Sequence, residues 1–248
     1  MKNLLLLFIL LVIVSFQLSA QEKVRFPSKD GLEITADKYF SHPKTSPLII
    51  LFHQAGWSRG EYKEIAPKLN KLGYNCIAID QRSGGEINGV VNETNQRAVA
   101  KKLPTKYVDA EKDMLATIQY AKSKYAMTSK IIVWGSSYSS ALALKIAGDG
   151  RVTFDAVLSF APGEYFESMG EPADFIYQSA QNITIPTFIT SAKSEKKNWW
   201  KIYEAIPAIG KDHFLPKTEG QHGSRALWKK FPEHKEYWQA VEVFLKTL

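Results

Sequence analysis

The sequence predicts an α/β fold, a mostly parallel central sheet flanked by helices on both faces. Three observations carry this. Short unbroken apolar runs, such as Pro47–His53, Tyr74–Asp80 and Lys130–Trp134, alternate with longer segments whose apolar residues recur at three- and four-residue spacing. The runs show no in-and-out alternation, the pattern of strands covered on both faces. No repeat, low-complexity tract or shift of composition divides the chain, so one domain is expected over residues 22–248.

The elements can be justified in order. Val24–Phe26 and Ile34–Phe40 read as strands joined through the turn-forming Lys29-Asp30-Gly31, which predicts an antiparallel hairpin at one sheet edge. Pro47–His53 is a buried strand. Ser58–Leu72 reads as a helix capped by Ser58, with Ile65, Leu69 and Leu72 on one face and Gly73 as its stop. Tyr74–Asp80 is the next buried strand. Gln81–Thr105 is polar and glycine-bearing with little periodicity, and reads as a long loop. Tyr107–Tyr125 is a helix with Val108, Met114, Leu115, Ile118 and Ala121 as its apolar stripe. Lys130–Trp134 is a strand, and Ser137–Ala147 a helix stopped by Gly148. Ala156–Phe160 and Ile185–Ser191 are strands, with a helical segment over Pro172–Ala180 between them. Glu195–Ile206 is a helix, residues 212–215 the last strand, and Arg225–Leu248 a closing helix that buries Leu227, Phe231, Trp238, Val241 and Phe244.

The amino terminus is set apart from this fold. Lys2 precedes an eleven-residue apolar run, Leu4–Val14, and Leu18-Ser19-Ala20 offers small residues for cleavage. This is the pattern of a signal peptide over residues 1–20, with Gln21 as the first mature residue. The run is short for a membrane span, which needs about 20 apolar residues. A periplasmic or secreted protein with no membrane span in its mature chain is expected.

Composition excludes several functions. With 45% hydrophobic and 23% charged residues the chain is an ordinary folded protein. Its net charge of +7 is spread over the chain in short lysine pairs, Lys101-Lys102, Lys196-Lys197 and Lys229-Lys230, without a nucleic-acid motif. Cys76 is the only cysteine. It rules out an intramolecular disulfide and a cysteine zinc site, and it sits in a buried strand as a small hydrophobe. No residue cluster has metal-ligand spacing, so no metal or cofactor is expected.

The chemistry is concentrated in Ile131-Ile-Val-Trp-Gly135-Ser-Ser137-Tyr-Ser139, which runs from buried strand through a small-residue turn into a helix. That context marks a nucleophile elbow, with Ser137 as nucleophile. Small flanking residues let helix and strand approach, and the hydroxyl projects from the carboxyl edge of the sheet at the positive end of the helix dipole. Ser139 stands where the second glycine of G-x-S-x-G is usual. Serine enzymes built on such an elbow place the acid and then the base later in the chain. His222, between Gly220 and Gly223 in a loop before the final helix, fits the base, with His213 as runner-up. Glu195, four residues past a buried strand, is the favoured acid; Glu164 comes next, and Asp212 and Asp174 are also available. The oxyanion requires amide donors, one from Tyr138 and another from Gln54 or Ala55 in the loop after the first central strand. His53 is expected to pack behind that loop. Trp57, Tyr138, Tyr165, Phe166, Trp199 and Trp200 are available to line a pocket.

Taken together, His53-Gln-Ala-Gly, Asp80-Gln-Arg-Ser-Gly-Gly85, Gly135-Ser-Ser137-Tyr-Ser139, Ala192-Lys-Ser-Glu195 and Gly220-Gln-His222-Gly resemble the ordered segments of α/β-hydrolases. The dienelactone-hydrolase-like branch and related small serine esterases look closest, over nearly the whole mature chain. The resemblance implies the α/β-hydrolase fold and an acyl-enzyme route on a small-molecule ester. It also implies that the Asp80-Gln-Arg segment shapes the loop beneath the active site. Two departures stand out: serine occupies the position where dienelactone hydrolases carry cysteine, and glutamate the one where aspartate is usual. A peptidase or amidase on the same residues, and a binding protein that keeps the fold without the chemistry, are the competing readings.

Overall fold

The computed structural model describes residues 21–125 and 127–248; the expected signal peptide, residues 1–20, lies outside them. Strands β1 (Glu22–Pro27) and β2 (Glu33–Tyr39) form the expected antiparallel hairpin, with Val24 paired to Ala36. Strand β3 (Leu48–Phe52) leads through a 3₁₀ turn at Arg59–Tyr62 into helix α1 (Ile65–Lys71), and β4 (Asn75–Ile79) follows. A two-stranded ribbon, β5 (Glu86–Ile87) and β6 (Val90–Val91), and helix α2 (Glu93–Ala100) precede α3 (Glu111–Lys124). Then come β7 (Ile131–Ser136), α4 (Tyr138–Asp149), β8 (Ala156–Phe160), α5 (Phe175–Ala180), β9 (Thr187–Thr190), α6 (Lys196–Ala205), β10 (Lys211–Phe214) and α7 (His234–Leu245).

Eight strands form one sheet in the order β1-β2-β4-β3-β7-β8-β9-β10. β2 runs antiparallel to both β1 and β4, and every pairing from β4 to β10 is parallel. The absence of alternation in β3 has a direct cause. Leu48, Ile50 and Phe52 point into a core with Met114 and Ile118 of α3 and Leu142 and Leu144 of α4. Ile49 and Leu51 point the other way, into a core with Ile65 and Leu69 of α1 and Trp238, Val241 and Phe244 of α7. Both faces are covered, so every position is apolar.

Several segments differ from the sequence expectation. The Ser58–Leu72 helix is two pieces, although Ser58 does cap the first, its side chain accepting from Gly60 N. The expected Arg225–Leu248 helix is likewise split, into a 3₁₀ turn at Ser224–Leu227 and α7. The 81–105 loop contains the β5–β6 ribbon and α2. Only Thr94 and Ala98 of α2 are buried. The helix is held instead by an Asn92 cap, whose Oδ1 accepts from Asn95 N at 2.7 Å, and by polar docking. Glu93 N donates to Asp80 Oδ2 at 2.8 Å, and Arg97 Nε to Glu33 O at 3.0 Å. A helix docked by hydrogen bonds leaves no apolar stripe to read.

α4 also runs past its expected stop. Gly150, at φ +63°, is the left-handed cap. Gly148 lies inside the helix where α5 crosses it, and a Cβ there would overlap the backbone carbonyl of Ser179. A Gly148→Ala variant therefore gains helix propensity of about 1 kcal/mol but forces α4 and α5 apart. We expect a net loss of roughly 2 kcal/mol in urea unfolding; unchanged or increased stability would show that the contact yields freely.

Candidate active site

β7 delivers the chain to Ser137, which adopts φ 59° and ψ −125° before α4 begins. This sharp turn is held on both sides. Ser137 N donates to Phe160 O at 2.7 Å, and Ser137 O accepts from Ser140 N at 2.9 Å and Ala141 N at 3.2 Å. Gly135 is required by close packing, since a Cβ there would meet Ser140 N at 2.5 Å. Ser139 is more than a small substitute for glycine. Its hydroxyl accepts from Ser136 N at 2.9 Å and donates to Phe52 O at 2.8 Å, tying the elbow to β3.

The four serines are separated by their partners. Ser136 Oγ donates to Glu61 Oε1 at 2.7 Å, Ser139 is engaged as above, and Ser140 Oγ donates to Ser137 O at 2.6 Å. Ser137 is different. Its hydroxyl lies beside the phenol of Tyr165, which donates to Ala161 O at 2.7 Å. Burial pushes the Tyr165 phenol up, and the charge of nearby Glu195 adds to this, so it stays neutral; with its one proton given to Ala161 O, it offers the Ser137 hydroxyl an acceptor. Ala161 itself sits at φ 58°, held by Ala161 N donating to Thr190 O at 2.6 Å.

His222 lies between Gly220 at φ 72° and Gly223 at φ 68°. Its Nδ1 is 2.6 Å from Glu195 Oε1, with both side chains partly open to solvent. Glu195 ends a 3₁₀ turn after β9, and its other oxygen accepts from Ala192 N at 3.1 Å. The two loops are laced together by Lys193 N donating to Glu219 O at 2.7 Å and by the α7 residue Tyr237, whose hydroxyl donates to Ser191 O at 2.9 Å and accepts from Gln221 N at 3.4 Å. No hydrogen bond joins Ser137 Oγ to His222 among the described residues. Their chain neighbours do touch: Ser224 N donates to Ser136 Oγ at 2.8 Å, and a Cβ on Gly223 would lie 2.6 Å from the same oxygen.

The alternatives have other duties. Glu164 accepts from Ile176 N at 2.9 Å and Tyr177 N at 2.8 Å, capping α5. Asp174 and Asp212 accept from Gln178 and from the His213 amide. His213 packs among Trp199, Trp200 and Tyr203, and burial pulls its pKa down. His53 is fully buried, with Nδ1 2.8 Å from Gln54 O and Nε2 accepting from Gln81 N at 3.0 Å. Burial pulls its pKa down to about 4, as suits a neutral histidine behind the loop.

The expected amide donors divide. Tyr138 is the first residue of α4, where an N–H has no helical carbonyl to meet. Gln54 is a correction: its N–H already donates to Glu61 Oε2 at 2.8 Å. Ala55, partly exposed at the next position, is the remaining candidate in this loop. The expected aromatic lining is also corrected, because Tyr138, Phe166 and Trp199 are core residues. Trp57 stacks on Trp228 at 5.3 Å, and Tyr165 is the aromatic that meets Ser137. Glu61 was not legible as a site residue, since a glutamate in Arg59-Gly-Glu-Tyr62 looks like an ordinary solvated position.

This architecture is that of the α/β-hydrolases. Residues 43–173 match the family described as serine aminopeptidase, S33, and the chain belongs to that family of hydrolases. No curated protein matches it in sequence. Among solved structures, a dienelactone hydrolase from Anabaena variabilis superposes with TM-score 0.69 at 12% identity, covering 92% of this chain and 97% of the other. An esterase from Pyrococcus furiosus gives 0.66 at 19% identity, covering 92% of both chains. An acylaminoacyl peptidase from Pyrococcus horikoshii gives 0.65 at 18% identity over 90% of this chain but only 41% of its own. The expected likeness to dienelactone hydrolases and small esterases therefore holds for the fold.

Proposed function

We propose that this hydrolase cleaves carboxylic esters through an acyl-enzyme, with Ser137 as nucleophile, His222 as general base and acid, and Glu195 as the carboxylate that holds the imidazole. The observation that carries the reading is the 2.6 Å His222–Glu195 pair on the loop that packs against the strained elbow of Ser137. With Nδ1–H donated to Glu195, Nε2 is the free base. A χ1 rotation takes Ser137 Oγ from Tyr165 towards Nε2, a change that commonly accompanies substrate binding. Oγ attacks the carbonyl carbon while its proton passes to Nε2. The tetrahedral oxyanion is met by the Tyr138 and Ala55 amides. The imidazolium then protonates the departing alkoxide, and water repeats the sequence to release the acid.

An amide substrate is the second reading, favoured by the family's description as a serine aminopeptidase. Against it, the peptidase neighbour is matched over only 41% of its length. Matched p-nitrophenyl ester and p-nitroanilide substrates decide between them: preference for the anilide would reverse the assignment. A Glu195→Gln variant is expected to lose about 10²–10⁴-fold in kcat for the ester, because the wrong tautomer is then favoured. Glu164→Gln should keep its activity and lose only about 1 kcal/mol of stability as an α5 cap. The opposite pattern would move the acid to Glu164.

A further inference from the structure

We infer that Glu61 is a positioning residue which holds the nucleophile loop, the base loop and the oxyanion loop in register through one buried carboxylate. This rests on the assignment of Ser137 and His222 above. Glu61 is fully buried, in the 3₁₀ turn between β3 and α1. Its Oε1 accepts from Ser136 Oγ at 2.7 Å, and Ser136 immediately precedes the nucleophile. The same Ser136 oxygen accepts from Ser224 N at 2.8 Å, two residues past His222. Oε2 accepts from Gln54 N at 2.8 Å, one residue before the Ala55 amide. Each reacting group is thus one or two residues from a single carboxylate, and the three loops come from distant parts of the chain.

An apolar residue would pack this space at lower electrostatic cost, since burying a carboxylate without a full ion pair is expensive. Burial pushes the Glu61 carboxyl up to about 7, against the pull of Ser136, Gln54, Arg225 and Ser224. Arg225, from the turn after Gly223, is the cation that faces it. The phenols of Tyr62 and Tyr138 also face it, and burial keeps both neutral. The ionised form accepts from both donors at once. A protonated carboxyl turns one oxygen into a donor, so the Ser136 hydroxyl must give up its own donation and the bond that sets the elbow against the Ser224 loop is rearranged. Loss of the clamp moves Ser137, His222 and Ala55 relative to one another without touching a substrate pocket, which predicts an effect on kcat rather than KM.

The test compares wild type with Glu61→Gln, which keeps shape and removes one acceptor. Fluorophosphonate labelling of the wild type at Ser137 first establishes the underlying reading, and its absence would remove that reading itself. Given labelling, we expect Glu61→Gln to lose about 10–100-fold in kcat and in labelling rate, with KM within about twofold, because displacements near 1 Å are costly at this step. Its kcat–pH profile should also lose an ionisation on the acid limb, because burial pushes the wild-type Glu61 carboxyl up to about 7. Wild-type kcat and labelling rate in the folded variant would overturn the inference while leaving the Ser137 assignment intact. If Glu61→Gln does not fold, Ser136→Ala decides: it cuts the same link to Ser224, and unchanged kcat there would overturn the inference equally.

Discussion

Replacing Ser137 by alanine is expected to end fluorophosphonate labelling and to lower kcat for p-nitrophenyl acetate by about 10⁴–10⁶-fold. The size of the effect follows from the chemistry. In the proposed mechanism the hydroxyl forms the bond to the acyl group, and no neighbouring serine is free to take its place. Ser136, Ser139 and Ser140 are each held by an acceptor inside the fold, Glu61, Phe52 O and Ser137 O respectively. Residual turnover would come from the Tyr138 and Ala55 amides and from binding alone. Stability should barely move, because alanine at φ 59° is strained to the same degree as serine and no hydrogen bond to a described residue holds the Ser137 hydroxyl in the fold. A melting temperature within a few degrees of wild type, with activity gone, is the signature of a catalytic group. Ester hydrolysis that survives in the purified variant would remove Ser137 from the mechanism.

The elbow and the loop that bears His222 were legible as backbone features because each carries its constraint locally. Gly135 and the strand before it announce a tight turn, and Gly220 and Gly223 mark a loop whose backbone leaves the usual region. The central strands were legible for a related reason: two covered faces force apolar residues at every position of β3. What escaped was held by polar contacts between segments far apart in sequence. α2 docks through Glu93 and Arg97. Gln54 was read as an oxyanion donor because nothing in the sequence shows that Glu61, seven residues on, would bend back to its amide. Hydrogen bonds satisfy buried groups without leaving a periodic trace, so such contacts are visible only once the chain is folded.

Arg82 makes the strongest case for such hidden contacts, and its replacement by methionine is expected to cost about 3–5 kcal/mol in urea unfolding at neutral pH. Its guanidinium is fully buried. Nη2 lies 2.8 Å from Asp113 Oδ1 and Nε 3.0 Å from Oδ2, while Nη1 reaches Asp30 at 2.7 Å. The same residue's backbone N–H donates to Asp113 at 2.8 Å, so β4's exit, the β1–β2 turn and the start of α3 meet in one knot. Methionine fills the stem but strands the Asp113 carboxylate, also fully buried. Burial already holds the Asp113 carboxyl above its usual range even with Arg82 beside it. Without the guanidinium the carboxyl rises further, and the folded variant binds a proton that the unfolded chain releases. Stability of the variant must then fall as pH rises, and the deficit against wild type should shrink towards pH 5. Adding Asp113→Leu removes the orphaned charge and should restore part of the loss. Wild-type stability of Arg82→Met at pH 7.5, or a deficit that grows on acidification, would mean that the ion pair contributes little. The knot also underlies the site, because Gln81 Nε2 donates to Tyr138 OH at 3.0 Å and that phenol donates to Ser83 O at 3.1 Å. Loosening Arg82 therefore loosens the first residue of α4, whose amide is assigned to the oxyanion.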